Sequence, residues 1–142
     1  KKEYPENYFN WDYQKTIISN LYFKKEFEYK KDISNHITKK INSYLNQDKK
    51  RKRPIDNIIS FDETTEKLLG SNLKCYYCKS NVLLLYKMIR DKSQWTFDRL
   101  NNDISHTKEN VVVCCLGCNI KRGQKNSNDY LSAKQLHIVK SI

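Results

Sequence analysis

No run in this chain approaches the 18 or so consecutive apolar residues that a membrane-spanning helix needs. The longest, Val82-Leu83-Leu84-Leu85-Tyr86, falls far short, so no membrane partner is expected. No secretory-signal pattern is present, and the sequence opens on Lys rather than Met, as a trimmed or processed chain would. Apolar residues are scarce as well, at 38% against 30% charged. A core built from them is thin, because a chain of this size buries only about two-thirds of its unfolded surface. There is no internal repeat. Anions are the minority charge, with 16 Asp and Glu against 27 Lys and Arg, a formal net charge of +11. The excess is spread, with 16 cations to 11 anions through Lys74 and 11 to 5 from Cys75 onward. A surface so basic concentrates polyanions, of which nucleic acid is the commonest.

Five cysteines in a secreted protein suggest disulfides with one thiol left over. Here four of them form Cys-x-x-Cys pairs, Cys75/Cys78 and Cys115/Cys118, which points to a metal and to a reducing compartment, cytoplasm or nucleus. Four such thiolates suit one tetrahedral Zn2+, with sulfurs about 2.3 Å from the ion. The 36 residues between the pairs exceed a short zinc-ribbon loop, so the ion is expected to clamp a subdomain. Binding coupled to folding then supplies stability that the thin core lacks. Cys114, outside the two-residue spacing, is expected to be buried on a strand and inert.

The chain reads as α+β, with a helical basic N-terminal arm over 1–57 and a zinc-stabilised domain over 58–142. Residues 1–31 are rich in aromatics, and Tyr13, Ile17 and Leu21 give a helical stripe. This region either packs on the body or offers a platform for DNA or for a second copy in a homodimer. Asp32 is the expected N-cap of a helix with Ile33, Ile37, Ile41 and Leu45 on one stripe, and His36 lies off it. Lys49, Lys50, Arg51, Lys52 and Arg53 precede Pro54 as a block of five cations. Such a block repels itself and stays extended unless an anion is present, as a nuclear-localisation signal, a phosphate-binding patch or a solvated linker. Ser60 and Glu63 form a capping-box pattern for a helix bearing Phe61, Thr65, Leu68 and Leu69, with Gly70 as a left-handed stop. Val82–Tyr86 fits a strand or a buried helix.

Gln94–Asp98 alternates as a strand, with Trp95 and Phe97 on one face and Thr96 and Asp98 on the other. A polar loop over 99–110 leads to Val111–Val113, a strand returning antiparallel. Cys118 begins a helix carrying Asn119, Lys121 and Arg122 and ended by Gly123. A last helix, Tyr130–Val139, is expected to face Leu131, Leu136 and Val139 inward. If the hairpin packs on the Cys118 helix, Asp98 and Asn119 converge. Carboxylate and amide oxygens suit a hard, partly hydrated Mg2+ or Mn2+. Such an ion can polarise a phosphate and stabilise a leaving 3′ oxygen, which is the chemistry of phosphodiester hydrolysis.

The order Cys-x-x-Cys, Asp98-Arg99-Leu100-Asn101-Asn102, Ser105-His106-Thr107, Asn110-Val111, Cys-x-x-Cys-Asn119 and Lys121 resembles the HNH (ββα-metal) endonucleases, over about residues 58–123. It looks most like the zinc-stabilised branch found in phages and large DNA viruses. The resemblance implies a treble-clef-like hairpin and helix on structural zinc, a catalytic Mg2+ or Mn2+, and double-stranded DNA as substrate. It places Asp98 and Asn119 at the catalytic ion, Asn110 as a loop-holding residue, and Lys121 and Arg122 at phosphates. Many members carry a general-base His directly after the metal-binding Asp; here that position is Arg99, which stays protonated. His106 is therefore the expected base and Arg99 the charge stabiliser, with Tyr77 or Tyr86 as alternative bases. Asn101 stands where relatives carry Asp, and Ser105 where they carry Gly. A second reading is a zinc-stapled nucleic-acid-binding or nucleoprotein-assembly module without the chemistry.

Overall fold

The computed structural model describes residues 3–141, with side chains described to residue 138. A 3-10 turn at Glu6–Phe9 leads into helix α1 (Trp11–Tyr22), capped by the Asn10 side chain, which accepts the Tyr13 N–H at 3.2 Å. Helix α2 (Lys30–Lys50) starts two residues before Asp32, which sits in its first turn instead of capping it. The residue before α2, Tyr29, is left-handed at φ 68. The inward stripe of α2 is Ile33, Ile37, Ile41, Tyr44 and Asp48, and Leu45 is only half-buried. A strict four-residue step drifts about 40° per repeat on a 3.6-residue helix, so the stripe must shorten one step to stay on the core.

The basic block is not extended. Lys49 and Lys50 are the last turn of α2, Arg51 is its C-cap and Lys52 turns left-handed at φ 58. Cations there complement the unpaired carbonyls at a helix C-terminus, which offsets their mutual repulsion. Helix α3 (Phe61–Gly70) opens on the capping box: Ser60 Oγ accepts the Glu63 N–H, and Glu63 Oε1 accepts the Ser60 N–H. Gly70 remains inside the helix, and the left-handed residues are Asn72 (φ 56) and Leu73 (φ 52).

Val82–Tyr86 forms neither strand nor helix. Val82, Leu84 and Leu85 are buried, and Leu83 makes a single parallel bridge to Gln94. The buried Gln14 side chain of α1 substitutes for a neighbouring strand, accepting the Leu84 N–H at 2.6 Å and donating to the Leu85 carbonyl at 2.9 Å. Strands β1 (Trp95–Arg99) and β2 (Val111–Cys115) form an antiparallel hairpin that pairs Trp95 with Cys115 and Arg99 with Val111. Helix α4 (Leu116–Arg122) follows at once and packs on both strands, starting two residues earlier than Cys118. Gly123, at φ 53, ends it. Helix α5 (Ser127–Ser141) buries Tyr130, but Leu136 is exposed, and the Val139 side chain lies outside the described residues.

The architecture is therefore α+β, with the N-terminal helices packed into the same core as the rest. Buried side chains from Tyr8 through Tyr44 join those from Ile59 through Tyr130 in one core. Trp11 Nε1 donates to the Leu73 carbonyl at 2.9 Å, and Tyr44 Oη accepts the Phe97 N–H at 2.9 Å. The N-terminal aromatics serve this packing: Tyr4, Tyr8 and Tyr29 pack ring on ring, whereas Phe23 stays exposed.

Candidate metal centre and the adjoining groove

Cys75 and Cys78 lie on a turn closed by the Lys74–Asn81 bridge, and Cys115 and Cys118 lie where β2 passes into α4. Their four sulfurs all sit within 4.8 Å of one another, with Cys78 Sγ and Cys115 Sγ 3.9 Å apart. A tetrahedron with 2.3 Å metal–sulfur bonds has edges of about 3.8 Å, so the four are placed to hold a metal such as zinc. Backbone N–H groups of Tyr77 and Cys78 donate to Cys75 Sγ at 3.4 Å, and that of Cys118 donates to Cys115 Sγ at 3.3 Å. Such donors favour thiolate. Burial pushes the Cys118 thiol up to about 11, which a bound cation would reverse. The buried Tyr130 hydroxyl faces Cys118, whose thiolate would accept its hydrogen bond. Cys114 is buried outside the cluster, and burial raises its thiol well above the ordinary value.

Beside the hairpin, β1, α4 and α2 wall a groove lined by Asp98, Arg99, Asn119 and His106. Asn119 has a fixed orientation. The Phe97 carbonyl can only accept, and the Thr96 hydroxyl already donates to the Cys114 carbonyl. Both therefore take N–H bonds from Asn119 Nδ2, at 3.2 and 3.0 Å. That leaves Asn119 Oδ1 without a hydrogen bond among the described residues. Asp98 is similarly half-used: its Oδ2 accepts from Tyr77 Oη at 2.6 Å and Arg122 Nη1 at 2.7 Å, while Oδ1 receives none among the described residues. Both side chains line the groove.

Four residues depart from the roles expected of them. Arg122 is 1% exposed, and its guanidinium donates to Asp98, Asn102 Oδ1 and the carbonyls of Arg99 and Lys125, so it does not meet phosphates. Arg53 turns back onto the buried Asp48 at 2.7 Å, which takes it out of the basic patch. Tyr77 is a donor to Asp98, not a base. Burial and that carboxylate push its phenol far up. Tyr86 is raised by burial too, lies beside Lys40 and His36, and is not among the residues lining the groove. Lys49, Lys50, Arg51, Lys52 and Lys121 remain exposed. Burial against Trp95 pushes Lys40, on the groove wall, down to about 7.

Asn110 holds the 99–110 loop in shape, donating to the carbonyls of Asn101, Ile104 and Ser105 and accepting the Asn101 N–H. No residue of that loop has positive φ, so Ser105 carries no left-handed strain, and its hydroxyl donates to the Pro54 carbonyl. Arg99 Nη1 donates to the carbonyls of Asn102 and Ile104. His106 is 3% exposed, stacked on Tyr44 at 4.6 Å, and its backbone N–H and Nδ1 both meet Asp48 Oδ2 at 3.0 Å. Asp48 was not legible as a site residue from its polar surroundings in the sequence. Its position on the inward stripe of α2 was the only signal.

Compared with known proteins, the chain matches no family, no characterised protein sequence and no solved structure. Among the described residues no helix is long and apolar enough to cross a membrane.

Proposed function

We propose that this protein is a metal-dependent DNA endonuclease of the HNH kind, with a structural zinc at Cys75, Cys78, Cys115 and Cys118. The observation that carries the reading is the groove: Asp98, Asn119 and His106 line one cleft beside the hairpin. When bound at Asp98 and Asn119, Mg2+ or Mn2+ supplies positive charge to the scissile phosphate and the leaving oxygen. His106 takes a proton from water through Nε2, the water oxygen bonds phosphorus, and the bond to the 3′ oxygen breaks. That oxygen takes a proton from solvent, and the imidazolium returns its own. Arg99, anchored by one nitrogen, keeps its remaining donors for the phosphate charge. The exposed Lys121 and the outward face of α2 bring the duplex to the cleft.

Nicking of supercoiled plasmid by the zinc-loaded protein with Mg2+ or Mn2+ tests this. Wild type is expected to nick, and Asp98→Ala and His106→Ala to lose at least about 100-fold. An Asp98→Ala protein that cuts like the parent overturns the assignment. One observation favours the second reading, a DNA-binding module without chemistry: Arg122 already neutralises one side of Asp98. Salt-dependent binding with no nicking by any form of the protein selects it.

A further inference from the structure

We infer that Asp48 is the positioning residue for His106, so that α2 belongs to the reaction machinery. The inference rests on the endonuclease reading for its chemistry and on the geometry for its orientation. Asp48 is fully buried, 58 residues before His106, and its two oxygens divide their work. Oδ1 accepts Arg53 Nε at 2.7 Å, and Oδ2 accepts the His106 backbone N–H and faces Nδ1, each at 3.0 Å.

Burial favours the neutral carboxyl, but the His106 N–H, Arg53 and the His106 ring outweigh it and hold Asp48 below the ordinary carboxylate value. The ring is pushed the other way. Burial lowers its pKa, Asp48 opposes that, and Arg99 and Arg53 add to the lowering. A neutral imidazole facing a carboxylate must place its one proton on Nδ1. Nε2 then carries the lone pair and has no hydrogen bond among the described residues, while the ring lines the groove. The other contacts hold it there: Tyr44 stacks on the ring, and the His106 carbonyl accepts the Ile59 N–H at 2.9 Å. During hydrolysis the proton from water lands on Nε2, and the imidazolium so formed is stabilised by Asp48 through Nδ1–H.

The test uses the full chain with zinc bound. In the parent, 15N–1H correlation of the ring nitrogens at pH 7.5 is expected to show a protonated Nδ1 and an unprotonated Nε2 for His106. Asp48→Asn keeps the shape and an oxygen for the two His106 donors, but it removes the negative charge that stabilises the imidazolium. Plasmid cleavage is expected to fall by about 100-fold or more, with duplex affinity unchanged. A parent ring protonated on Nε2 overturns the inference without any variant, so it stays testable even if Asp48→Asn does not fold. Asp48→Asn cleaving within about threefold of the parent also overturns it. A parent ring protonated on Nδ1 in a protein that does not cut upholds the orientation and overturns the endonuclease reading.

Discussion

Asp48 and His106 stand 58 residues apart in sequence, yet Asp48 Oδ2 lies 3.0 Å from both the backbone nitrogen and Nδ1 of His106. The contact ties α2 to the loop between the strands and makes the N-terminal half a wall of the groove. It also makes the fold sensitive to acid. A neutral buried histidine with a lowered pKa contributes stability above its unfolded value of about 6.5, which is lost as pH falls through the folded value. Asp48, also lowered, contributes above about 3.9 and loses that contribution below it. Urea midpoints measured from pH 8 to 4 are expected to fall below pH 6.5 in the parent and to change less in His106→Gln. Parallel curves for the two proteins would contradict the assignment.

Arg122 and Lys121 are sequence neighbours with opposite fates. Truncating Arg122 to Ala removes the ion-pair partner of buried Asp98 and leaves it only the Tyr77 hydroxyl, a loss of about 3–5 kcal/mol. Lys121→Ala is expected to keep its stability within about 0.5 kcal/mol. It should weaken duplex binding evenly across sequences and reduce the salt slope by about 1. Denaturant titration beside salt-dependent binding of both variants separates the two roles.

Cys114 and Cys115 are adjacent as well, and only Cys115 is in the sulfur cluster. Cys115→Ser is expected to lose bound zinc and to lower Tm by about 10 °C or more, since loss of a structural metal removes several kcal/mol of folding energy. Cys114→Ala should retain its zinc. Metal content by mass spectrometry alongside thermal melts checks both, and equal zinc in the two variants would contradict the assignment.

The outward face of α2 presents Lys39, Asn42, Ser43, Asn46, Gln47 and Lys50 without an anion, and Ser43 and Gln47 also border the groove. Reversing Lys39 and Lys50 to Glu is expected to weaken duplex binding by at least about tenfold at low salt, and less near 0.2 M. Unchanged affinity would place the DNA elsewhere.

How far the fold was legible follows from the range of each signal. The capping box at Ser60 and Glu63, the alternation of Trp95 to Asp98 and the paired cysteines are local, and each was readable within a few residues. The basic block was misread because charge repulsion argues for extension, whereas its position after the α2 stripe makes it a helix C-terminus. Val82–Tyr86 was ambiguous because a side chain from α1, Gln14, meets its backbone groups, and no window of sequence contains both. The groove was half visible. Asp98 and Asn119 followed from motif order, but the partners that set their orientation, Thr96, Tyr77 and Arg122, depend on strand register and helix phase. Asp48 depends on the packing of a helix that read as a separate arm.

The chemistry proposed for the groove depends on Asp98 and Asn119 forming one cation site. Electron paramagnetic resonance titration of Mn2+ into the zinc-loaded protein measures that directly, in the parent and in Asp98→Ala and Asn119→Ala. Mn2+ is expected to bind the parent and to be held at least about tenfold more weakly by both variants. Mn2+ binding that is absent from the parent, or unchanged in both variants, would contradict this.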